Sequence, residues 1–97
     1  MIQRIDNLAH LIYLQKLDLG QNKIKKIEGL SSLTSLTQLS LEDNEIELLN
    51  GLENVTNLME LYIGNNFVSD MKNVTVLKSM NKLIILDISG NPLCADK

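Results

Sequence analysis

Apolar residues along this chain keep two intervals at once. In four places a pair alternates with its neighbours: Leu17 and Leu19, Leu39 and Leu41, Leu61 and Ile63, Leu86 and Ile88. An interval of two is that of a strand with one buried face. On either side the interval is three. Leu11 and Leu14 lead into the first pair, Leu33 and Leu36 into the second, Val55 and Leu58 into the third, and Met80 and Leu83 into the fourth. Ile24, Ile27 and Leu30 follow the first pair, Ile46, Leu49 and Leu52 the second, and Val68, Met71 and Val74 the third. Three, rather than about 3.6, predicts turns and 3₁₀ helix in place of a long α-helix.

An asparagine stands just after each pair, in "LDLGQNKI", "LSLEDNEI", "LYIGNNFV" and "LDISGNPL". These are Asn22, Asn44, Asn66 and Asn91, at offsets of 22, 22 and 25 residues. The chain is therefore an internal repeat, with strands expected near 16–19, 38–41, 60–63 and 85–88. No single repeat can bury its own apolar edge. Stacking repeats about 4.8 Å apart as a parallel sheet buries it. Each coil must turn inward after its strand, and backbone groups buried at that corner need partners. An amide side chain both donates and accepts. A column of four asparagines therefore reads as a ladder that ties the corners within and between coils; the alternative is four exposed turn residues.

A second corner column comprises Asn7, Gly29, Gly51 and Asn73. Glycine and asparagine are the residues that most readily take positive φ, so a left-handed residue is expected at each. The third coil is three residues longer, and an extra helical turn within "VTVLKSM" would absorb the triplet on the convex side.

The pattern resembles the 22-residue class of leucine-rich repeats. It is carried by "LIYLQKLDLGQNKIKKIEGL" and "LTSLTQLSLEDNEIELLNGL". A regulatory subunit of type-1 protein phosphatase belongs to that class. The stretch from "ELYIGNN" to "NKLIILDISGNPL" resembles part of a long multi-repeat member. The resemblance implies an α/β fold: a right-handed solenoid of about four repeats, with short parallel strands on the concave side and 3₁₀ or turn segments on the convex side. It also implies a scaffold that binds proteins on its concave sheet without catalysis. Residues 1–97 read as a single such segment. Neither end shows the polar cap that closes a solenoid, so the chain reads as excised from a longer array, and its open ends would allow end-to-end self-association. "NPLC" is similar to the opening of a cysteine-rich cap, but the further cysteines of that cap are absent.

Outward positions of the strands are Lys16, Asp18 and Gly20; Gln38, Ser40 and Glu42; Glu60, Tyr62 and Gly64; and Ile85, Asp87 and Ser89. They carry one positive charge and four negative, a balance of −3, which equals that of the whole chain. The remaining eight basic and eight acidic residues cancel. The candidate partner-binding residues are thus Lys16, Asp18, Gln38, Ser40, Glu42, Glu60, Tyr62, Ile85 and Asp87. The other reading of this face is a solvated sheet with one stray tyrosine. In the loops, Lys23 should lie beside Glu45 and Lys25 beside Glu47, as cross-coil ion pairs. Phe67 either packs locally or forms a rim contact.

Composition narrows the function classes. The acidic balance argues against nucleic acid. No run of about 20 apolar residues predicts a membrane span. The single cysteine, Cys94, and the lack of a signal-peptide pattern point to the cytoplasm. The sequons at Asn54 and Asn73 read as chance. His10 is the only histidine, and no base, nucleophile and orienting group converge. No metal-ligand spacing occurs. Asp18, Glu42, Glu60 and Asp87 could gather Ca²⁺, but a flat sheet would leave its coordination open. No enzyme and no cofactor are expected. Two classes remain: a protein-recognition module, or a structural spacer within a longer array.

Overall fold

The alternating pairs form the strands. In a computed structural model, which describes residues 1–94, they are β1 (Lys16–Asp18), β2 (Gln38–Ser40), β3 (Glu60–Tyr62) and β4 (Ile85–Asp87). Residues 95–97 of the expected segment lie outside the described residues. The sheet runs in the order β1-β2-β3-β4, and every pairing is parallel. Its rows are Lys16–Gln38–Glu60–Ile85, Leu17–Leu39–Leu61–Leu86 and Asp18–Ser40–Tyr62–Asp87. The leucine row faces inward. Leu39 and Leu61 are fully buried, while Leu86 in the last coil is 40% exposed, with no further coil stacked on it among the described residues.

The interval of three is built as successive turns. Leu33 N–H donates to the Leu30 carbonyl and Leu36 N–H to that of Leu33; Leu52, Val55 and Leu58 repeat this in the next coil. These are 3₁₀-type spacings, yet each remains an isolated turn. Among the described residues the only 3₁₀ helix is Pro92–Cys94. The inward side chains of all these turns and strands merge into one aliphatic core.

The asparagine ladder runs along the corner. Asn66 Nδ2 donates to the carbonyls of Ile63 (3.0 Å) and Gly64 (3.3 Å) in its own coil, and of Leu41 (2.9 Å) in the coil before. Its Oδ1 accepts from Ile46 N–H at 3.0 Å. Asn44 makes the equivalent bonds to Leu41, Glu42, Leu19 and Ile24, and Asn91 bonds to Ile88, Ile63 and Val68. Asn44, Asn66 and Asn91 are buried. Asn22 is only half-buried, since the first coil has no complete neighbour, and its Oδ1 accepts from Ile2 N–H.

Two corner expectations need correction. Asn7, Gly29 and Gly51 have φ of 60°, 71° and 108°, but Asn73 does not share them. The three extra residues turn that corner into α1 (Lys72–Lys78), which starts two residues ahead of "VTVLKSM". Asn73 sits in its first turn and is buried, with Oδ1 accepting from Leu49 N–H (2.8 Å) and Nδ2 donating to the Asp70 carbonyl (2.9 Å). That sequon is thus closed to modification in the folded chain, whereas Asn54 is exposed. A second left-handed column, Gln21, Asp43, Asn65 and Gly90, precedes the ladder asparagines. The varied residue types there hide it in the sequence, although Asp, Asn and Gly each tolerate that conformation.

Candidate functional site

Side chains of the first and third sheet rows leave the core, so β1–β4 present Lys16, Asp18, Gln38, Ser40, Glu60, Tyr62, Ile85 and Asp87 on one face. They are not equally open. Lys16, Asp18, Ile85 and Asp87 are exposed, Gln38, Glu60 and Tyr62 are half-buried, and Ser40 is buried between its neighbours. Beyond the strands, Gly20, Glu42, Gly64 and Ser89 extend the face by one position.

The two glycines leave space that carboxylates occupy. A Cβ on Gly20 would stand 3.3 Å from both Asp18 Oδ1 and Glu42 Oε1, so the two carboxylates converge over bare backbone. Asp18 Oδ1 accepts from Gly20 N–H at 2.9 Å. Glu42 Oε1 is shielded from solvent and makes no hydrogen bond. At the other end Asp87 Oδ1 accepts from both the backbone N–H (3.0 Å) and the hydroxyl (2.7 Å) of Ser89. Those two bonds, hydroxyl first, hold its carboxyl below the usual range.

Tyr62 lies amid these acids. Its hydroxyl donates to Glu60 Oε1 at 2.7 Å. That bond, followed by partial desolvation and the negative charges of Glu60, Glu42 and Asp87, raises the phenol above its ordinary 10.0. The phenol therefore stays a neutral donor throughout the neutral range. Residues two apart on a strand share a face, so the Tyr62–Glu60 contact follows from their spacing, but sequence reasoning named both without pairing them.

The loops differ from expectation. Lys25 Nζ lies 3.9 Å from Glu45, not beside Glu47, and Lys23 makes no pair with Glu45 among the described residues. Glu45 N–H donates to the Ile24 carbonyl, which sets Glu45 between Lys23 and Lys25. Side chains 78% and 33% exposed make such a pair nearly neutral for stability. Arg4 and Glu28 add a second pair at 3.4 Å. Phe67 is 52% exposed, a rim position rather than a locally packed one. His10 and Cys94 are exposed at opposite ends of the stack. The described residues contain no cluster of metal-ligating side chains, and no helix long and apolar enough to cross a membrane.

A family model described as Leucine Rich repeats (2 copies) matches residues 14–54. Two solved structures from Listeria monocytogenes are similar. An internalin (inlF) shows 32% identity and a TM-score of 0.83, with 93% of this chain and 26% of that one covered. Internalin C2 (inlC2) shows 34% identity and a TM-score of 0.82, with 92% and 38% covered. The chain thus spans well under half the length of either. No curated protein matches the sequence. The repeated strand register, the asparagine-tied corners and these similarities agree: the chain is a leucine-rich-repeat solenoid of about four repeats.

Proposed function

We propose that the solenoid is a non-catalytic protein-recognition module and that its partner docks on the concave acidic face. One observation carries this reading: the outward sheet face holds the whole negative balance of the chain, gathered around Tyr62. Charges in one sign on a sheet face repel one another and lower stability slightly, so packing gives no reason for them. Glu42 Oε1 makes no hydrogen bond where it lies over Gly20, so a carboxylate turned outward to a partner's donor would be better satisfied. The spacer alternative rests on repeat continuity alone.

The test compares partner capture by the wild-type segment, Tyr62→Ala and the double variant Glu42→Lys/Glu60→Lys. Both variants are expected to lose at least about ten-fold in capture while melting as the wild type does, because tyrosine and charge complementarity dominate such contacts. Unchanged capture would sink the concave-face reading and favour the spacer.

The same proposal places the segment in the cytoplasm, within a longer array. The parent would be a long multi-repeat chain resembling leucine-rich repeat-containing protein nine. Cell fractionation that finds the parent outside the cytosol would reject that placement. End-to-end association is a further part of the proposal. Leu86 is open on the last coil, and Ile2, Ile5, Leu8 and Leu19 line a cleft on the first. Sedimentation is expected to show oligomers at high concentration, and a clean monomer there rejects the idea.

A further inference from the structure

The concave face is not uniform along the stack. Its first strand carries Lys16 and Asp18, which cancel, and its second adds the neutral Gln38 and Ser40. From Glu42 onward each coil adds one negative charge: Glu42, Glu60 and Asp87. Apart from Met1, Ile2, Ile12 and Tyr13 on the first coil, exposed apolar residues adjoin the face at this acidic end. Met59, Ile84 and Ile85 are 38%, 71% and 44% exposed. Ile84 and Ile85 N–H groups both donate to the Met59 carbonyl, at 2.7 and 3.1 Å, and Ile85 pairs in register with Glu60. The three residues are therefore backbone neighbours where β3 and β4 begin, and they form an exposed apolar patch at that edge of the face. Met59 stays open although the last coil stacks on it, so part of this apolar surface lies away from the last described coil. Leu86 is excluded, because it belongs to the inward row.

We infer that the docking site lies on the third and fourth coils, and that it takes a basic segment of another protein carrying an apolar anchor residue. This rests on the concave-face reading and adds to it the position and chemistry of the partner. An apolar patch rimmed by polar groups marks an interaction site, and tyrosine beside it supplies a rigid contact. The acids around the patch attract lysine or arginine and repel acidic sequences, so charge selects the partner while Met59, Ile84 and Ile85 hold its anchor. Tyr62, its hydroxyl already bonded to Glu60, offers the ring rather than a free donor.

The probes are three labelled peptides of equal length, alternating lysine–leucine, lysine–serine and glutamate–leucine, followed by fluorescence anisotropy. The lysine–leucine peptide is expected to bind at least about ten-fold more tightly than either control. Met59→Ser/Ile85→Ser should weaken it about ten-fold with the melting curve kept, while Tyr13→Ser, at an exposed apolar residue of the first coil, leaves it unchanged. Equal binding of glutamate–leucine overturns the charge argument, and equal binding of lysine–serine overturns the anchor. An equal loss in Tyr13→Ser overturns the placement, and no binding by any probe overturns the inference as a whole. If the inference fails while partner capture still responds to Tyr62→Ala, the concave face stands and only the partner's chemistry and position fall.

Discussion

Asn66→Ala is expected to destabilise the protein by about 3–4 kcal/mol, among the largest losses for replacing a polar residue of the chain. The amide serves four backbone groups at once: the carbonyls of Leu41, Ile63 and Gly64, and the N–H of Ile46. It is 2% exposed, so water cannot replace it. Each buried group left without a partner costs roughly 1–3 kcal/mol, and relaxation recovers part of the sum. Asn66→Asp should be at least as damaging, because a carboxylate would face three carbonyl oxygens with no donor to offer. Asn22→Ala provides the contrast. Its amide is half-buried and water reaches the groups it serves, so a loss of about 1 kcal/mol is expected. Urea unfolding measures all three. Losses for Asn66→Ala no greater than for Asn22→Ala would mean that the ladder adds little beyond the aliphatic core.

Why the ladder was legible in the sequence, and much else was not, comes down to which atoms the stacking constrains. An inward residue meets its equivalent in the next coil at every repeat. Leu39, Leu61 and Asn44 therefore face the same demands as their neighbours, and identical residues recur at 22-residue spacing. The Asn73 corner misled because the three-residue insertion is absorbed there. Once Lys72–Lys78 turns helical, the asparagine keeps its buried, bonded side chain but loses its left-handed backbone. The Gln21, Asp43, Asn65 and Gly90 column escaped notice for the opposite reason. The backbone demand repeats, while the side chains point away from the core and vary.

Outward residues carry the candidate site, and stacking does not constrain them. Strand alternation was enough to list them, but not to rank them. It could not show that Ser40 would be buried, that Tyr62 would bond to Glu60, or that Glu42 would lean over Gly20. Those facts depend on side-chain length and on the absence of a Cβ at a neighbour. Ion pairs are a further step removed. The offset of Glu45 from Lys23 comes from a slanted backbone hydrogen bond, and no residue pattern records it.

Gly51→Ala is the other large loss expected, about 3–4 kcal/mol, or a fall of more than 10 °C in the melting temperature at roughly 4–8 °C per kcal/mol. Two separate demands meet at this corner. The backbone holds φ at 108°, outside the left-handed well that other residues can reach. A Cβ would also fall on the Ile27 carbonyl oxygen of the previous coil and crowd the Ile27 side chain. The equivalent Gly29 has only the first demand, and in milder form. Its φ is 71°, and a Cβ there would meet Ile5 O at 3.4 Å, an ordinary contact. Gly29→Ala should therefore cost about 1–2 kcal/mol, and even the bulkier Gly29→Val should stay near the upper end of the range of about 1–3 kcal/mol for strained backbone. Asparagine separates the two causes. It tolerates a left-handed backbone, as Asn7 does at φ 60° in the first coil. Gly29→Asn should thus be milder than Gly29→Ala, while Gly51→Asn should gain nothing over Gly51→Ala, because its Cβ meets the same carbonyl. Thermal melts of the four alanine and asparagine variants decide it. If asparagine rescues position 51 as well as position 29, backbone conformation alone governs the corner, and the close approach of coil to coil has no part in it.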